Sequence, residues 1–155
     1  KMQKLNVIYE DNHVIVVVKP FNVLSQSDIT GDIDMLTMVK DYIKVKYNKP
    51  GNVYLGLVHR LDRMTGGVMV FAKTSKAASR LNEQVREKVF EKEYLVIVDG
   101  KMEEKSGTFE DYLVKNERTN TSKITDSKNK NAKKAILEYE VIKYNDEINL
   151  SLITK

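Results

Sequence analysis

The stretch VYLGLVHRLDRMTGGVMVFA, residues 53–72, places a polar nonapeptide between two apolar runs. The runs, Val53–Val58 and Val68–Ala72, are mostly apolar and flank a turn-containing segment, so they predict two strands. The segment between them, His59–Gly67, contains two adjacent glycines, so it is not one regular element throughout. We therefore expect a strand, a loop and a second strand, with charged side chains concentrated in the loop.

Upstream of this stretch, the pattern predicts a β-hairpin followed by a helix. Leu5–Tyr9 and His13–Val18 are apolar runs separated by three turn-forming residues, which is typical of a hairpin. Asp34–Tyr47 has apolar residues at helical spacing, which predicts an amphipathic helix of about three turns. Asp32 or Asp34 is placed to cap its first turn.

Downstream, a second helix and a run of strands complete the predicted fold. Thr74 or Ser75 can cap a helix that continues to about Lys88, with its apolar residues at i, i+3 and i+4 spacing. Four further strands are predicted, at Tyr94–Val98, Thr108–Val114, Ala135–Ile142 and Ile148–Ile153. Together these elements indicate an α+β fold, a mixed and mostly antiparallel sheet flanked by helices, in a single domain over residues 1–155.

Composition is that of a globular cytoplasmic protein, and it excludes several kinds of site. The 155 residues are 41% hydrophobic and 31% charged, and the longest apolar run, Val14–Val18, is far too short to span a membrane. The absence of cysteine excludes disulfides, thiolate metal sites and thiol nucleophiles. With only His13 and His59 as histidines, we expect no metal site.

The positive charge of the chain is concentrated in one segment. The formal net charge is +4, and Lys115–Lys134 alone contains seven basic and two acidic residues. A composition rich in Asn, Ser, Thr and Lys predicts a solvated loop or hairpin tip over Asn116–Asn131. The basic excess also permits a nucleic-acid partner.

Asp62 is the main candidate for chemistry in the polar nonapeptide. If the backbone stays extended up to this residue, Leu61 anchors the segment while Arg60 and Asp62 are presented on the other face. An aspartate flanked by arginines is ionised at neutral pH and suits a nucleophilic or electrostatic role better than acid catalysis. The residues alone equally allow an ordinary surface ion pair between Asp62 and Arg60 or Arg63.

Three segments resemble motifs of one known family, in the family's order. HRLDRMTGGVMVFAK, residues 59–73, resembles a signature of H-R-L-D, a variable pair, T-S-G and an apolar strand ending near A-K, with Gly66 in place of the usual serine. VVVKPFNVLS resembles an amino-terminal K-P motif at Lys19-Pro20, and EKEYLVIVDG resembles a tyrosine motif at Tyr94. The chain is similar to the RluA-type pseudouridine synthases, which isomerise specific uridines in ribosomal or transfer RNA.

The resemblance implies a role for each candidate site residue. Asp62 would be the catalytic residue, either as the nucleophile or as the base that supports a glycal intermediate. Arg60 would insert beside the flipped uridine, Arg63 would be a second RNA-binding residue, and Tyr94 would contact the flipped uracil as a catalytic residue. Lys19-Pro20 would be structural. The implied reaction uses neither a metal nor an organic cofactor.

The resemblance also implies that part of the family's sequence is missing. In the family, a strand like Leu150–Thr154 runs on into a G-R-x-H-Q-I-R segment whose arginine pairs with the catalytic aspartate, whereas this chain stops at Lys155. We therefore expect a monomeric catalytic domain that is incomplete at its carboxyl end. An RNA-binding module without catalytic turnover is the alternative, motivated by the basic segment and the absent motif.

Overall fold

The described part of the chain, residues 4–154 of this computed structural model, contains two antiparallel sheets and two helices. The sheets belong to two compact units, which divide between Phe90 and Glu91. The predicted α+β class with mostly antiparallel strands is confirmed. The ends of the predicted domain, residues 1–3 and 155, lie outside the described residues. No helix within residues 4–154 has the length and apolar character needed to cross a membrane.

The first unit is built on a four-stranded sheet with the strand order β1-β2-β4-β3. Its elements are β1 (Asn6–Glu10), β2 (Val14–Lys19), α1 (Met35–Lys46), β3 (Gly56–Leu57), β4 (Gly67–Ala72) and α2 (Ser75–Arg86). The central strands supply much of the core, because alternate residues such as Ile15, Val17, Met69 and Phe71 are fully buried. The predicted hairpin of β1 and β2 is confirmed.

Both helices begin after capping residues that the sequence pattern predicts. The Asp34 carboxylate accepts a hydrogen bond from the Thr37 N–H at 2.9 Å, and the Thr74 hydroxyl accepts one from the Ala77 N–H at 3.1 Å. These bonds satisfy amide groups that have no acceptor within the first turn of a helix. The two helix predictions are therefore confirmed.

The predicted strand over Val53–Val58 is wrong in its extent. Only β3 forms a ladder, with the last two residues of β4. Val53, Leu55 and Val58 are buried without strand pairing, so the apolar run reflects burial of side chains rather than a continuous strand. Gly56 lets α2 approach β3, because a Cβ atom at Gly56 would lie 2.9 Å from the Cβ of Ala78.

The second unit is a five-stranded sheet with the strand order β5-β9-β8-β6-β7. Its strands are β5 (Leu95–Asp99), β6 (Ser106–Asn116), β7 (Thr121–Thr125), β8 (Lys133–Asn145) and β9 (Leu150–Thr154). The prediction of a loop or hairpin tip over Asn116–Asn131 is wrong for its middle, where β7 pairs with β6. Threonines and Ile124 favour the extended backbone, and charged side chains are common on an edge strand such as β7.

Candidate active site

The polar nonapeptide His59–Gly67, hereafter the Asp62 loop, lies between β3 and β4 and has no regular secondary structure before Gly67, the first residue of β4. Leu61 is buried, whereas Arg60 and Asp62 on either side of it are exposed. This is the alternation expected from an extended backbone. Farther along, the Thr65 N–H donates to the Asp62 carbonyl oxygen at 2.9 Å, which closes a turn before the chain enters β4.

His59 continues the edge of the sheet beyond the point where β3 ends. Its Nε2 atom accepts a hydrogen bond from the Val70 N–H of β4 at 3.0 Å. Its ring also packs at a tilted angle against Phe90, with 5.4 Å between the ring centroids. The imidazole therefore satisfies a backbone donor that strand pairing leaves without a partner, and it anchors the start of the Asp62 loop.

Ser25 holds the middle of the Asp62 loop from the buried side. Its hydroxyl donates to the Leu61 carbonyl oxygen at 2.6 Å and accepts from the Leu61 N–H at 3.0 Å. Ser25 is only 6% exposed, so water competes little for these two bonds. Both backbone polar groups of the residue between Arg60 and Asp62 are therefore satisfied by one side chain.

Lys19, at the end of β2, joins the loop after that strand to the Asp62 loop. Its fully buried ammonium group donates to the carbonyl oxygens of Val23 at 2.6 Å and of Pro20 and Arg63 at 3.0 Å each. Burial lowers the pKa of Lys19, and the negative charge of Asp62 partly offsets this effect. The geometry agrees with the structural role expected of Lys19-Pro20.

Arg63 is bound at two points to the segment that connects β2 to α1. One of its guanidinium nitrogens lies 2.7 Å from the Asp32 carboxylate, and its Nε donates to the Asn22 side-chain oxygen at 2.8 Å. The Asn22 N–H in turn donates to the Arg63 carbonyl oxygen at 2.9 Å. Arg63 therefore pairs with Asp32, and the ion pair between Asp62 and an adjacent arginine that the sequence allowed does not form.

Asp62 and its two flanking arginines line an open pocket of about 550 Å³. Its wall consists of the Asp62 loop and the segment after β2, with Leu24, Ser25, Gln26, Ser27, Asp28, Arg60, Leu61, Asp62 and Arg63. The volume lies within the range of about 300–1,000 Å³ that is usual for small-molecule sites. The pocket therefore presents a carboxylate and cationic groups to a polar ligand.

Tyr94, the fourth predicted site residue, belongs to the second unit. It lies immediately before β5 and is half-buried. The three other predicted residues lie together in the Asp62 loop of the first unit. Within residues 4–154, no group of three or more histidine, aspartate or glutamate side chains could hold a metal ion.

Sequence reasoning missed the residues that support the Asp62 loop. Ser25, Asn22 and Asp32 are distant from it along the chain, and their side chains meet it only through folding. Ser25 closes the stretch VVVKPFNVLS that carries the K-P motif, but nothing in that pattern indicates a bond to Leu61. A bond of this kind has no local periodicity by which it could be recognised.

Comparison with known proteins points to one family. The chain matches the family model described as RNA pseudouridylate synthase over residues 13–154. It is 33% identical over 140 residues to ribosomal large subunit pseudouridine synthase D of Borreliella burgdorferi, covering 88% of this chain and 42% of that protein. It is 36% identical over 110 residues to ribosomal large subunit pseudouridine synthase C of Escherichia coli, covering 71% of this chain and 33% of that protein.

Solved structures of low sequence identity share the fold. Human RNA pseudouridylate synthase domain containing 4 superposes with a TM-score of 0.78 at 20% identity, over 96% of this chain and 57% of that one. Human RNA pseudouridylate synthase domain containing 1 gives a TM-score of 0.71 at 21% identity, over 97% and 58%. The chain spans less than half the length of the curated relatives it matches, such as 42% of the Borreliella protein.

Proposed function

The chain belongs to the RNA pseudouridylate synthase family, and we propose that it isomerises specific uridines of ribosomal or transfer RNA to pseudouridine. The observation that carries this proposal is the exposed carboxylate of Asp62, next to Arg60 in an open pocket. Buried bonds from Ser25 and Lys19 hold the loop that presents both side chains. Side chains that are positioned before the substrate binds are better suited to catalysis, because less freedom is lost when the substrate enters.

Asp62 is the residue that we assign to the rearrangement itself. The reaction breaks the bond between N1 of uracil and C1′ of the ribose, turns the base, and forms a bond from C5 to C1′. The proton on C5 is released and N1 gains one, so the change is an isomerisation without oxidation or reduction. The Asp62 side chain can serve either route, by attacking as a nucleophile or by removing a ribose proton as a base.

Arg60 is the residue that we assign to base flipping. A uridine reaches the pocket only after leaving its stack, which costs a few kcal/mol. The exposed guanidinium of Arg60 is planar and carries several donors, so it can occupy the vacated position and bond to neighbouring bases. Arg63, with its charge already paired to Asp32, would contribute a weaker contact to RNA.

The second unit supplies the remaining proposed contacts with RNA. Tyr94 would contact the flipped uracil, in keeping with the tyrosine motif that it resembles. The basic segment Lys115–Lys134 surrounds the edge strand β7 and presents exposed cations to phosphates. Two of its lysines are already paired, Lys115 with Glu117 and Lys134 with Glu110.

Release of tritium from RNA labelled at uridine C5 tests the proposal, because that hydrogen leaves only when C5 bonds to the ribose. The assay compares the natural gene product and the 155-residue chain with their Asp62→Asn variants. We expect Asp62→Asn to abolish release while thermal stability and RNA affinity stay close to those of the parent. Asp41→Asn, at an exposed position of α1, is the matched control and should retain full activity.

Two outcomes would contradict the proposal. Turnover that persists in Asp62→Asn would remove Asp62 from the reaction. Salt-dependent RNA binding by the natural gene product, without any release across ribosomal and transfer RNA substrates, would favour an RNA-binding module without turnover. The seven basic residues of Lys115–Lys134 are the observation behind that second candidate function.

A further inference from the structure

Phe21 is an aromatic residue with 70% of its surface exposed, and it lies beside the Asp62 loop. Isolated exposed apolar residues are common on protein surfaces, so exposure alone carries no conclusion. The position of Phe21 is what distinguishes it, because it lies next to the proposed active site on a segment tied to that site by several bonds.

The backbone on both sides of Phe21 is bound to Arg63. The Lys19 ammonium donates to the Pro20 and Arg63 carbonyl oxygens, at 3.0 Å each. The Asn22 N–H donates to that same Arg63 oxygen at 2.9 Å. Phe21 is therefore held next to the residue that follows Asp62, and it has little freedom to move independently of the loop.

The ring of Phe21 lies against Gly66, near the other end of the Asp62 loop. A Cβ atom built on Gly66 would lie 3.4 Å from two carbons of the ring, Cδ2 and Cε2. The ring is therefore supported by backbone on one side, while most of its surface remains open to solvent. Met64, on the same loop, is a second exposed apolar side chain, with 66% of its surface accessible.

We propose that Phe21 is a stacking platform for an unpaired nucleobase adjacent to the uridine that enters the Asp62 pocket. Bases released from a helix stack on exposed aromatic rings, and a ring already held in place loses little freedom when it binds. Arg60 is exposed on the same loop and lines the pocket, and its positive charge favours the phosphates of that strand. This inference rests on the proposed function and adds to it a contact with a base other than the target.

Substitutions at Phe21 separate stacking from simple apolar contact. Phe21→Ala and Phe21→Leu should weaken the affinity for a uridine-rich single-stranded RNA by roughly 5- to 100-fold, whereas Phe21→Tyr should retain it. Leucine keeps apolar bulk but lacks a π face, so it serves as the critical comparison. Val45→Ala, on α1 at a position that is 82% exposed, is the matched control and should bind like the parent. Thermal melting confirms that each variant is folded.

A fluorescent probe reports the stacked base directly. The chain contains no tryptophan, so Phe21→Trp introduces a single indole at the proposed platform. We expect single-stranded RNA to quench its emission, and duplex RNA at equal occupancy to quench it much less. Val45→Trp should be quenched by neither RNA.

The outcomes distinguish failure of this inference from failure of the proposed function. RNA that binds with parental affinity to Phe21→Leu, or that leaves Phe21→Trp emission unchanged, would overturn the stacking inference while C5 tritium release could still support the synthase. Equal quenching of both tryptophan variants would also overturn it. If the parent chain binds no RNA, this result would contradict both the proposed RNA-modifying function and the stacking inference.

Discussion

Ser25 is the residue that most directly sets the position of Asp62 without belonging to the same loop. Its hydroxyl holds both backbone polar groups of Leu61, at 2.6 and 3.0 Å. Arg60 and Asp62 are the residues immediately before and after Leu61, whose backbone these two bonds hold. A displacement of the Leu61 backbone would therefore move both proposed functional groups together.

Ser25→Ala should reduce turnover as well as stability. The change leaves the buried Leu61 amide and carbonyl without a partner, which costs about 1–3 kcal/mol of folding free energy. Because small displacements of catalytic groups are costly, we expect kcat for uridine isomerisation to fall by up to about 100-fold. Denaturant unfolding measures the loss of stability, and steady-state tritium release at saturating RNA measures kcat.

Ser151→Ala is the control for Ser25→Ala. Ser151 is fully buried in β9, and its hydroxyl donates to the Gly100 carbonyl oxygen at 2.7 Å. This variant should lose stability of similar magnitude while kcat changes little. Equal kcat values in the two variants would show that Ser25 is a folding residue only.

At the scale of elements, Glu10 ties β1 to α1 and to the segment after β4. Its carboxylate lies 2.7 Å from the Lys46 ammonium and 2.8 Å from that of Lys73, and it accepts hydrogen bonds from the Tyr47 hydroxyl at 2.6 Å and the Tyr42 hydroxyl at 3.2 Å. Lys73 also lies over the Tyr47 ring, 4.8 Å from its centroid. The cluster therefore gathers two ammonium groups and two hydroxyl groups around one carboxylate, whose side chain is 7% exposed.

The Glu10 cluster predicts a loss of stability in acid. Burial of the carboxyl raises its pKa, but hydrogen bonds from Lys46, Lys73 and Tyr47 outweigh that effect and lower the pKa of Glu10 to about 2. Because the folded pKa lies below the unfolded one, the contribution is complete above about pH 5 and declines as pH falls toward 2. We expect urea unfolding to show about 2–3 kcal/mol of this loss.

Glu10→Gln should remove that part of the acid dependence, because glutamine does not titrate. Glu110→Gln is the comparison, since it breaks an exposed ion pair with Lys134 and should change stability by at most about 1 kcal/mol. A Glu10→Gln variant with the same stability profile between pH 6 and about pH 3 as the parent would contradict this account.

At the scale of the whole molecule, positive charge is distributed unevenly along the chain. The Lys115–Lys134 segment carries seven basic residues, and much of it lies at the edge strand β7 and the turns on either side. Exposed lysines on an edge strand also discourage pairing with other sheets, which is a structural reason for their presence. RNA binding and protection of the edge strand would therefore both require exposed basic side chains in this segment.

Salt dependence separates these two uses of the charge. Lys128→Gln combined with Lys130→Gln, in the turn between β7 and β8, should flatten the dependence of log affinity on log salt by about 0.7 for each phosphate of single-stranded RNA that the variant no longer neutralises. Lys44→Gln combined with Lys76→Gln, at exposed helix positions, is the matched control. If the two double variants show the same dependence of log affinity on log salt, Lys128 and Lys130 do not contact RNA phosphates. The charge of the segment would then be explained by protection of the edge strand.

Much of the fold followed from local patterns. The hairpin of β1 and β2 and both helices were predictable because apolar periodicity and capping residues act over a few neighbouring positions. The strand β7 was missed because its polar composition is as typical of a loop, and pairing with β6 decides between the two. The strand predicted over Val53–Val58 was too long because a buried loop and a paired strand produce the same apolar pattern.

The sequence by itself determined the family resemblance and the concentration of candidate groups in the Asp62 loop, since these are properties of neighbouring residues. Only the tertiary structure decided how that loop is held. Ser25 meets Leu61 across 36 positions, and Lys19 meets Arg63 across 44. Arg63 could pair with a neighbour in the sequence but pairs with Asp32. Such pairings depend on which buried polar groups folding leaves unsatisfied, and no local periodicity records that.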